Sequence, residues 1–144
     1  MKISTGLRNH MLATGSMKAG LDGGVIRIYS GAEPADADSA VSGTLLCTVS
    51  LNDTGTGINF DTTPSGGVLS KSAAETWSGT PVATGTAGYW RFSGTADAGG
   101  ASTTEKRAQG TIGTALADVI VASTTFTASV LRQIDNFVVG MPAS

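Results

Sequence analysis

The chain has 144 residues, enough for one domain of ordinary size built on one apolar core. Lys, Arg, Asp and Glu make up only 14% of it, against roughly a quarter in an average soluble domain, with Gly, Ala, Ser and Thr in their place. A net charge of −2 argues against nucleic acid as a partner, no apolar run reaches the ~18 residues of a membrane span, and a lone cysteine excludes an intrachain disulfide or a cysteine-held zinc.

Residues 1–21 carry Lys2, Arg8 and Lys18 without an acid, while the remainder holds 6 basic and 11 acidic side chains. The same stretch is the one credible helix: Thr5 can cap it, Leu7 and Met11 share a face, and Gly15 can close it. Met17 and Leu21 add a short second turn. Residues 1–22 therefore read as a helical arm whose cations, with His10, are candidates for docking on an acidic partner surface.

After the Asp22-Gly23-Gly24 turn signal the apolar period becomes two, and residues 23–144 read as a β-sandwich domain. Strands are expected at 25–29 and 44–51, then at 58–61, 68–70, 75–77, 82–92, 107–112, 119–127 and 131–139, with a polar loop at 94–104. So many short strands behind one helix predict a mainly β protein, an antiparallel β-sandwich or jelly roll with a short N-terminal helix. The last strand has apolar residues on both faces, Leu131, Phe137 and Val139 against Val130, Ile134 and Val138, so it is either central or covered by another subunit.

Chemistry-bearing patterns are sparse. Cys47 alternates with Leu45, Val49 and Leu51 as a small core residue, and His10, the sole histidine, has no serine elbow to serve. Asp36 and Asp38 lack both the apolar neighbours of a glycosidase acid and the ligand series of a calcium loop. The glycine runs at 55–57 and 85–88 lack the Gly-Lys-Ser/Thr ending of a phosphate loop. Neither an enzyme nor a cofactor is expected, and without a basic-then-apolar leader synthesis in a cytoplasm is.

Adjacent Tyr89 and Trp90 must point to opposite faces of a strand. Trp90 and Phe92 are placed inward, which leaves Tyr89 and Arg91 outward as a subunit contact. Alternatively Tyr89 with Trp77 forms a sugar-stacking platform, as in a carbohydrate-binding module.

The opening 1–13, MKISTGLRNHMLA, followed by LDGGVIRIYSG at 21–31, resembles a family of small structural proteins of tailed bacteriophages. AETWSG at 74–79 and GTA with YWR at 85–91 extend the resemblance over most of the chain. The resemblance implies a virion component made in the bacterial host cytoplasm, with capsid decoration or cement as the best assignment and a neck, tail or fibre-attachment role as the alternative. Its expected partners are the major capsid protein or other virion proteins and further copies of itself, as a dimer or trimer. It transfers no catalytic residue.

Overall fold

A computed structural model describes residues 1–141. Its elements in chain order are β1 (Lys2–Ile3), α1 (Thr5–Ala13), α2 (Met17–Leu21), β2 (Gly24–Ser30), β3 (Leu45–Leu51), β4 (Val68–Ser70), β5 (Trp77–Gly79), β6 (Gly85–Gly94), β7 (Ala108–Gly113), β8 (Val119–Ile120), β9 (Thr125–Phe126), β10 (Arg132–Ile134) and β11 (Val138–Gly140). The protein is mainly β, with antiparallel sheets behind a short helical N-terminus. Nine strands form one sheet in the order β1-β7-β6-β2-β3-β5-β10, with β8 parallel to β7 and β9 against the start of β6. β4 and β11 make a separate antiparallel ribbon.

Helix α1 begins one residue earlier than its sequence suggests. Ser4, not Thr5, is the cap: its Oγ accepts from the Leu7 amide at 3.1 Å and from the Arg107 amide at 2.9 Å while donating to the Glu105 carbonyl at 2.7 Å. Gly6 lies so close to the 104–105 backbone that a Cβ there would sit 2.3 Å from the Thr104 carbonyl oxygen. Leu7, Met17 and Leu21 are buried in the same cluster as Ile26, Ile28, Trp90 and Phe92. The first 22 residues, expected as an arm ahead of the β-domain, thus share its core.

The register of β2, β3, β6 and β7 sorts their side chains onto two faces. Ile26 lies opposite Phe92 and Val49, Ile28 opposite Trp90 and Cys47, and Phe92 opposite Ala108, which gives one apolar face. Phe60, Trp77 and Phe137 pack on it; the Trp90 and Phe137 rings meet edge to face at 5.3 Å, and Phe60 stacks on Phe92 at 5.6 Å. On the other face Arg27 lies opposite Arg91 and Thr48, Tyr29 opposite Tyr89, and Arg91 opposite Gln109.

The strands expected from alternation are present at 25–29, 44–51, 68–70, 82–92 and 107–112, within a few residues. The stretch 58–61 forms only isolated bridges, Ile58 with Gly24 and Phe60 with Lys71. Residues 119–127 and 131–139 each break into two short strands. Neither piece of the last stretch is central: β10 lies at one end of the sheet path, and Val130, Leu131 and Val138 are about half exposed.

Candidate contact surface

The second face of the sheet is polar yet covered. Arg91 and Gln109 are buried, with Gln109 Oε1 accepting from Arg91 Nε at 3.0 Å and Nη2 at 2.5 Å. The loop at 31–43 lies across them, and its carbonyls are the remaining acceptors: Ser39 O for Arg91 Nη1 at 3.0 Å and Pro34 O for Gln109 Nε2 at 3.0 Å. Tyr89 stacks on Tyr29 at 5.1 Å, and its hydroxyl donates to Ser42 O at 2.7 Å and accepts from Ser42 N at 2.9 Å. Beside them Arg107 and Asp97 form a two-point ion pair at 2.6 and 2.7 Å, both side chains almost wholly out of water.

Burial alone would raise the Asp97 carboxyl, but the Arg107 guanidinium and the Gly99 amide outweigh it and hold the group below its ordinary value. For Arg91, burial and the nearby Arg107 charge both lower the pKa. The expectation of outward-facing Tyr89 and Arg91 is therefore corrected: loop carbonyls, which alternation cannot foresee, cover both. Trp77 is also 0% exposed, with its Nε1–H donating to Glu75 at 2.9 Å, so a Tyr89 and Trp77 sugar platform is lost as well.

Most of the N-terminal cations meet partners inside the chain. Lys2 lies 3.1 Å from Glu33 and donates to Pro34 O at 3.2 Å, and Lys18 pairs with Asp22. Arg8 is exposed and donates to Thr5 Oγ1 at 2.7 Å, while that hydroxyl and the Thr5 amide are held by Asp38. His10 is partly buried against the glycines of the α1–α2 corner, with no hydrogen-bond partner for Nε2. The structure does not bring the six expected contact residues to one surface: Tyr89 and Arg91 lie inside, Lys2 and Lys18 in ion pairs, and Arg8 and His10 on α1.

Unpartnered apolar surface lies elsewhere. Among the described residues, six of the nine exposed large apolar side chains fall between 116 and 141: Leu116, Ile120, Val130, Leu131, Val138 and Met141. That stretch carries only three charges, Asp118, Arg132 and Asp135. Next to Val138, the ribbon and α2 enclose a mostly apolar cleft of about 390 Å³ lined by Met17, Pro64, Leu69, Val139 and Met141. Apolar residues on both sides of 130–139 were the sequence signal for this surface. The buried Asp97, Arg107 and Gln109 had none, because their partners are distant in sequence or are backbone atoms.

Among the described residues no three His, Cys, Asp or Glu side chains converge as metal ligands, and no helix is long and apolar enough to cross a membrane. Burial pushes the Cys47 thiol up to about 12, which keeps it protonated and unreactive at neutral pH. No protein-family model, no curated protein and no solved structure matches the chain.

Proposed function

We propose that this protein works by assembly and not by catalysis, as a structural component of a tailed-bacteriophage virion. Its best assignment is a decoration or cement protein that bridges neighbouring capsomers. The observation that carries the reading is the stretch 116–141, where large apolar side chains stand in water on a surface with few charges. Such a surface is cheap to desolvate and gains free energy from every copy that covers it.

The resemblance of residues 1–13 and 21–31 to small phage structural proteins supports the same reading and supplies its location. A shell held by many such clamps opens only when contacts break together, so modest individual contacts suffice. The architecture proposed for the role is a β-sandwich or jelly roll. In its favour, the apolar face of the large sheet and the β4–β11 ribbon, through Leu69 and Val139, share one core cluster.

The test is a copy count in purified particles of the phage that encodes the chain. Hundreds of copies on the head are expected. Tens of copies select the neck, tail or fibre-attachment role, and complete absence overturns the virion reading.

A further inference from the structure

We draw no further inference here: the strongest candidate, the apolar cleft of about 390 Å³ between α2 and the β4–β11 ribbon, lined by Met17, Leu69 and Val139, is an unpartnered apolar surface, and nothing in the structure shows what covers it.

Discussion

The polar face of the central strands and the stretch 116–141 both carry side chains that turn away from the apolar core, and they differ in what those side chains meet. Tyr89, Arg91 and Gln109 find acceptors and covers within the chain, from Ser39, Ser42 and Pro34. Leu116, Ile120, Val138 and Met141 stay at least half exposed. Buried polar groups cost free energy unless each is satisfied, so the first region is committed to holding the fold. Exposed apolar groups cost free energy until something covers them, so the second region is where partners act.

The contrast orders the effects of change. Deleting residues 1–21 is expected to abolish cooperative folding, because Leu7, Met17 and Leu21 are core and Ser4 ties α1 to Arg107 and Glu105. Circular dichroism on the truncated chain checks it, and a folded β-domain would restore the separate arm that the sequence suggests. Arg107→Ala strands the buried Asp97 carboxylate and is expected to cost about 3–5 kcal/mol in denaturant unfolding. Gly6→Ala should cost about 1–3 kcal/mol from crowding against the 104–105 backbone, although alanine at an exposed helical site is ordinarily the better residue.

Acid comes next. Asp97, Glu75 and Asp118 are each held below their ordinary values, against burial, by hydrogen bonds and nearby cations. Groups depressed in the folded state stabilise it above their unfolded values and lose that contribution as pH falls through the folded ones. Stability is therefore expected to be flat from neutrality down to about pH 5 and to fall below about pH 4, with Asp97→Asn flattening part of the decline. Thermal unfolding from pH 7 to pH 2 measures it. The smallest effect is expected within 116–141: Val138→Ser should change stability by no more than about 0.5 kcal/mol while weakening attachment to particles.

Much of the sheet was legible because Val25 to Tyr29 and Leu45 to Leu51 alternate plainly, and so was α2 from Met17 and Leu21. Strand β1 is two residues long and has no period to read. Ser4 and Thr5 are both good caps, and the choice falls to Ser4 through its contacts with Arg107 and Glu105, about a hundred residues away. Alternation separated Tyr89 and Arg91 from Trp90 and Phe92 correctly. It could not say that a loop fifty residues earlier covers them, because that cover is made of backbone carbonyls. The exposed apolar surface was legible in part, from the two-sided pattern of 130–139.

Amide hydrogen exchange on the free chain and on the same chain in its assembled state tests the division most directly. New protection is predicted within 116–141, with none added at 24–30 or 89–93, which intrachain bonds already guard. Protection that appears over residues 1–21 and leaves 116–141 unchanged would contradict it.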